Sequence, residues 1–324
     1  MTTEKINLVA DIGGTNLRIG ISDEQGKLEN IALYECNQYP SLSAVINHYI
    51  SEQNLTGHEL HACLAIACPV ENDLITMTNL PWEFSKTQLK QELNLSTLLL
   101  INDYTAIAHC IPLLDETNKI QIGEGEAIAG KPISICGPGT GLGVANLINH
   151  NDQWVSLSGE GGHVDFAPVD HQEVDILRYL NTKYSRVSYE QLLSGLGLEQ
   201  IYQAIAWSKQ LDVPLLAAHE ISAKAIDEEC ELCQEALAQF CRTLGSFAGN
   251  LSLTLGSFGG VYIAGGIVPR FIEYFKKSDF RKRFELKGRL SSFNQDIPTY
   301  VITEAQPGLL GAAAYLLQFN KEAL

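Results

Sequence analysis

Two apolar runs, each broken off by a glycine- and threonine-rich turn, constrain this chain more than any other feature. Ile6 to Ala10 leads into Asp11-Ile-Gly-Gly-Thr-Asn16, and Ile133 to Cys136 leads into Gly137-Pro-Gly-Thr-Gly-Leu-Gly143. The spacing predicts a buried strand that ends in a tight turn, twice. Glycine permits positive φ and close approach of another group. Successive backbone N–H groups in such a turn can cradle an anion. Either turn alone is equally compatible with an ordinary hairpin. Together they suggest two phosphate clamps facing one cleft, formed by Asp11, Gly13, Gly14, Thr15 and Asn16 and by Gly139, Thr140, Gly141 and Gly143.

The 324 residues suffice for one large or two medium domains. A formal net charge of −16 argues against nucleic acid or an anionic membrane as partner. It leaves room for an anionic ligand held locally by backbone N–H groups and a metal ion. The N-terminal residues show neither a signal-peptide apolar region nor a cleavage site, and no apolar stretch is long enough to span a bilayer. These features predict a soluble cytoplasmic protein with its eight cysteines reduced. Cys230, Cys233 and Cys241 would share one helical face within about 80°. No neighbouring His or Cys completes a usual zinc spacing, so core packing is the better reading.

Strands alternate with helices. Ile6–Ala10, Leu17–Ser22 and Ile31–Cys36 read as an antiparallel meander, with a turn at Glu24-Gln-Gly-Lys27. Leu42, Val45, Ile46, Tyr49 and Ile50 carry the spacing of one helix face. Ser85 and Gln88 read as a capping box. Further strands are expected at Cys63–Cys68, Leu98–Ile101, Val261–Ala264 and Thr299–Ile302, a long helix from about Glu231, and a final apolar helix over Leu309–Leu317. The polar stretch from Pro112 to Lys131 reads as a crossing between domains. Residues 1–112 with 302–324 form a small α/β domain and 113–301 a large one, two related α/β halves around a central cleft.

Candidate chemistry lies at strand ends. Asn102-Asp103 closes an apolar strand, where α/β sheets place ligands, yet both residue types also favour helix caps. Glu160-Gly-Gly-His163 and Glu190 add acceptors; their bland readings are a surface loop and a favourable charge at a helix start. Asn102, Asp103, Glu160, His163 and Glu190 together make an acceptor-rich set that suits a neutral polyhydroxyl ligand. The P-loop, nucleophile-elbow and protein-kinase signatures are absent, and Gly137–Gly143 does not give the dinucleotide fingerprint.

These segments, in this order, resemble the bacterial glucokinase family within the actin-like sugar-kinase superfamily. The resemblance runs from Asp11 to Arg270: both glycine turns, Met77-Thr-Asn-Leu-Pro-Trp82, Ile101-Asn-Asp-Tyr-Thr-Ala106, Gly159–Phe166, Val187-Ser-Tyr-Glu190 and Phe258–Arg270. Val164-Asp-Phe-Ala-Pro168 follows His163 without cysteine, so the chain resembles the zinc-free branch. The resemblance implies an actin-like (ribonuclease H-like) fold, a homodimer, and transfer of the γ-phosphoryl of ATP to O6 of glucose as the first step of glycolysis. It implies Asp103 as the base; Asn102, Glu160, His163 and Glu190 on the sugar hydroxyls; and Gly265 and Gly266 beside the adenosine. Asp11 is expected to orient Mg²⁺ through water. Another hexose as substrate, a non-catalytic sugar sensor and an actin-like ATPase are the competing readings.

Overall fold

A computed structural model describes residues 4–77 and 80–322. The chain divides into two compact units, Met1–Leu114 with Glu304–Leu324, and Asp115–Thr303. In chain order the first unit begins with β1 (Lys5–Ile12), β2 (Asn16–Ser22), β3 (Leu28–Glu35), α1 (Leu42–Glu52), β4 (Glu59–Ile66), β5 (Leu74–Thr76), β6 (Glu83–Ser85), α2 (Lys86–Glu92), β7 (Leu95–Asn102) and α3 (Asp103–Cys110). The second unit holds β8 (Lys119–Ile122), β9 (Ile133–Pro138), β10 (Leu142–His150), β11 (Gln153–Ser158), α4 (His171–Leu180), α5 (Gly195–Ser208), α6 (Ala218–Ile226), α7 (Glu231–Leu255), β12 (Val261–Ile263), α8 (Ile272–Lys277), α9 (Phe280–Glu285), α10 (Ser291–Gln295) and β13 (Thr299–Ile302). Then α11 (Pro307–Glu322) returns to the first unit.

Both units are built on one plan. The first sheet runs β3-β2-β1-β4-β7, an antiparallel meander continued by parallel strands. The second runs β11-β10-β9-β12-β13-β8, again a meander followed by parallel β12 and β13, with antiparallel β8 on the edge. These are the two related α/β halves expected from the sequence pattern, in the actin-like arrangement that the family resemblance implies.

Apolar spacing explains the helices. All five expected positions of α1 are buried, and Ser41 caps it by accepting from Ala44 N at 3.2 Å. The expected stripe of α7 is buried at Leu237, Phe240, Cys241, Leu244, Phe247 and Ala248. Helix α11 packs on α3 so closely that a Cβ at Gly311 would lie 1.6 Å from the carbonyl oxygen of Ala106. No helix among the described residues is long and apolar enough to cross a membrane.

Four local expectations need correction. The polar stretch after Pro112 contains β8, which pairs with β13. Gly13 and Gly14 do not take positive φ, so the first turn does not use that freedom. Strand β1 ends at Ile12, one residue past the carboxylate of Asp11 at which it was expected to stop. Ser85 caps α2 through Gln88 N, but the Gln88 side chain donates to Glu92 instead of closing a capping box. The three helical cysteines hold no metal cluster among the described residues; Cys230 instead caps α7, its sulfur accepting from Cys233 N at 3.4 Å.

One buried polar group makes the fold acid-sensitive. His109 of α3 sits edge-on to Tyr315 of α11, centroids 4.8 Å apart, with no hydrogen-bond partner for Nε2 among the described residues. Burial pushes its pKa down to about 4. The unfolded chain would protonate near 6.5, so it binds the extra proton first as pH falls. The native state therefore has its full stability from this group above pH 6.5 and loses about 3 kcal/mol of it as pH falls to 4. Urea midpoints of wild type should drop across that window more steeply than those of His109→Phe. Parallel curves would show that His109 does not titrate in this way.

Candidate active site

In the first unit, strand register gathers the chemistry. Ile12 of β1 pairs with Ile66 of β4, and Ile66 with Asn102 of β7. Three parallel strands thus end level, and the Gly13–Asn16 turn and Asp103 leave the sheet at the same edge, two strand spacings or ~10 Å apart. The turn is closed by Gly13 N donating to Asn16 O at 3.0 Å, and Thr15 O accepts from Cys36 N at 2.9 Å.

Asn102 caps α3, its side-chain oxygen accepting from Tyr104 N at 2.9 Å. The capping reading therefore holds for Asn102, and the bond fixes its amide group with the NH₂ still able to donate. Asp103 occupies the first turn, where the helix dipole favours a carboxylate, and accepts from Tyr104 N at 3.0 Å. The negative charge of Asp103 reaches the nearby Cys68, whose thiol pKa is raised first by burial and then by that carboxylate.

Asp11 is partly buried and faces Arg18 across the β1–β2 pair. Burial raises its pKa from the ordinary carboxylate value, and the Arg18 charge offsets part of that. Its carboxylate lies against the first turn of α11, where a Cβ at Gly308 would come within 2.8 Å of Oδ2. Of the Met77–Trp82 segment, Met77 and Trp82 are buried, while Thr78 and Asn79 lie outside the described residues.

In the second unit, the turn between β9 and β10 is the centre. Gly139 N donates to Gly141 O at 2.8 Å, and Gly195 N at the start of α5 donates to Gly139 O at 2.9 Å. Glu190 reaches this turn from 48 residues away: Leu142 N donates to Glu190 Oε2 at 2.9 Å. Its other oxygen lies 3.7 Å from His163 Nε2. Arg186 donates to His163 O at 2.8 Å and to Asp165 at 2.5 Å, which holds the exposed Glu160–His163 turn. The turn needs its glycines because it lies flat on β10: a Cβ at Gly162 would meet Leu142 O at 2.1 Å.

Gly265 takes positive φ, +84°, beside the same turn, and a Cβ there would lie 2.6 Å from Pro138 O. Next to it opens a cavity of about 470 Å³ lined by Gly139, Thr140, Gly195, Glu199, Gly266 and Arg270. Gly139, Thr140 and Gly266 were expected there. Glu199, His219 and Ser222, which also line it, were not, although Ser194 followed by Gly195 carries a visible helix-start signal. The structure thus brings Gly139–Gly143, Glu190 and His163 together in one unit, with Gly265 and Gly266 beside the turn. It sets Asp11, Gly13–Asn16, Asn102 and Asp103 along one sheet edge of the other.

Known proteins resemble this chain along nearly its whole length. The glucokinase family model matches residues 8–319. A glucokinase of Colwellia psychrerythraea is 61% identical over 321 residues, 98% of this chain and 97% of that protein. The crystal structure of a glucokinase from an Antarctic psychrotroph superposes with a TM-score of 0.89 at 36% identity, covering 96% of this chain and 98% of that one. The glucokinase of Balamuthia mandrillaris, solved in complex with glucose, shares the fold with a TM-score of 0.78 at 21% identity, covering 97% and 94%.

Proposed function

Since this chain belongs to the glucokinase family and is a sugar kinase, we propose that it transfers the γ-phosphoryl group of ATP to O6 of D-glucose, with Asp103 as general base. The observation that carries the reading is the shared sheet edge: an anion-suited turn and a fixed carboxylate leave level strands ~10 Å apart. Phosphoryl transfer depends mainly on positioning and charge stabilisation, and the level strand ends support the positioning part of this reading.

Asp103 accepts the O6 proton and aligns the oxygen for in-line attack. A carboxylate is a weak base, so the proton moves late, as the O6–P bond forms. The NH₂ of Asn102 donates to a sugar oxygen, while Glu160, His163 and Glu190 hold the remaining hydroxyls. Acceptors that the bound sugar covers and leaves unpaired reject a deoxy analogue, by ~10⁴ in favourable sites. The Gly13–Asn16 turn and the Gly139–Gly143 turn carry phosphate, and Gly265 and Gly266 admit the adenosine to the cavity beside them. Asp11 fits a Mg²⁺ held through water: burial disfavours its bare charge, which a nearby cation would relieve. That ion, when bound, would neutralise charge on the phosphate oxygens. The same resemblance supports a cytoplasmic homodimer that supplies glycolysis with glucose 6-phosphate.

The test is ADP release with Mg-ATP against glucose, mannose, fructose and N-acetylglucosamine. Turnover with glucose well above the other three is expected. Sugar binding by calorimetry without turnover would replace the kinase by a sensor, and a preference for another hexose would correct the substrate.

A further inference from the structure

We propose that Gly141 is a positioning residue for the sugar: the turn that carries nucleotide phosphate also sets the carboxylate of Glu190, so the two ligands are energetically coupled within the second unit. The inference rests on the function proposed above and goes beyond it, because it assigns a sugar-binding consequence to a residue of the nucleotide turn.

Three observations carry it. First, Gly141 does not take positive φ, so its backbone conformation does not call for glycine. Second, the nearest atoms to a Cβ built at Gly141 all belong to one side chain: Glu190 Oε2 at 2.5 Å, Cδ at 3.2 Å and Oε1 at 3.9 Å. The space a methyl group would need is taken by that carboxylate. Third, the carboxylate is bonded to this turn, through Leu142 N to Oε2 at 2.9 Å. The backbone closes the same loop from behind. Ser194 Oγ donates to Glu190 O at 2.9 Å, and the adjoining Gly195 N donates to Gly139 O at 2.9 Å. Glu190, the start of α5 and the glycine turn are therefore stapled to one another at both ends.

The obstacle to a methyl at position 141 is the far end of a flexible side chain, not backbone. Gly141→Ala thus keeps the fold and displaces the carboxylate. Gly139→Ala is the matched control: a Cβ there meets nothing nearer than Gly141 O at 4.0 Å. By linkage, whatever effect the sugar has on nucleotide affinity the nucleotide has on sugar affinity.

Glucose affinity measured by calorimetry without nucleotide tests this, with wild type, Gly141→Ala and Gly139→Ala side by side. Gly141→Ala should weaken glucose about 10-fold or more, the scale of a disturbed hydrogen bond to a charged group. Gly139→Ala should stay within about 2-fold of wild type, since its methyl leaves Glu190 in place. Adding a non-hydrolysable ATP analogue should change wild-type glucose affinity about 5-fold or more, and Gly141→Ala should reduce that factor. Unchanged nucleotide-free glucose affinity in Gly141→Ala overturns the inference. Equal weakening in both variants overturns it too, because the effect then belongs to the turn as a whole. Wild type that fails to bind glucose would sink the proposed function itself, and this is seen before either variant is compared.

Discussion

Asp103→Asn lowers kcat by about 10²–10⁴ while leaving glucose affinity far less changed. The substitution is nearly isosteric. The amide oxygen can still accept from Tyr104 N, as Asp103 does at 3.0 Å, and Asn102 still caps α3. What disappears is an atom that can take a proton from O6. One negative charge is also lost from the first turn of α3, worth about 0.3–1 kcal/mol of stability, too little to unfold a domain of ordinary stability. Steady-state rates, with glucose binding by calorimetry on the same sample, separate the two effects. A variant that keeps kcat within ten-fold would show that Asp103 orients the sugar without serving as its base. A variant that loses glucose binding as steeply as kcat would assign it to binding instead.

The parts of this molecule governed by local rules were legible in the sequence. The face of α1, the stripe of α7 and the strand Thr299–Ile302 follow from apolar periodicity, which burial of one face imposes. The glycine turns were legible because strand-to-turn transitions have a restricted vocabulary. Strand β8 was not, since Lys-Ile-Gln-Ile is four residues long and is fixed by its partner β13 rather than by its own pattern. The β10–β11 hairpin is marked in the sequence only at its turn: Asn151 and Asp152 both take positive φ, 52° and 60°, as a two-residue hairpin favours. In the site, residue types were readable and partnerships were not. Nothing local connects Gly141 with Glu190, and their contact exists only once β10 and the start of α5 are packed. The cavity residues His219 and Ser222 were missed for the same reason, being ordinary helix-surface residues until the fold brings them beside Gly266.

Arg283→Met destabilises the protein by about 3–5 kcal/mol, and adding Glu173→Gln restores a large part of that loss. Arg283 of α9 is only 7% exposed and Glu173 of α4 only 1%. The guanidinium donates to Glu173 Oε1 at 2.7 Å, to Asp170 Oδ2 at 2.9 Å and to Ser246 Oγ of α7 at 3.0 and 3.1 Å. Glu173 also accepts from Gln239 at 2.9 Å and from Val169 N at 2.7 Å, so its carboxylate cannot swing out to water without breaking both. Three helices meet on this one group. They meet closely: a Cβ at Gly245 of α7 would lie 2.2 Å from Phe280 O of α9. Methionine fills much of the volume of arginine but leaves Glu173 charged, buried and without its cation, and this is where the cost arises. Glutamine at 173 removes the charge, and its single amide oxygen can keep one of the two bonds, that from Val169 N or that from Gln239. The double variant should therefore unfold at a urea concentration nearer to wild type than Arg283→Met does, with an unchanged slope. The consequence reaches the site, because Tyr189, next to Glu190, packs on Phe247 of α7 with centroids 4.9 Å apart. If the double variant is no more stable than the single one, the loss comes from packing around α9, and the unpaired Glu173 charge is not its cause.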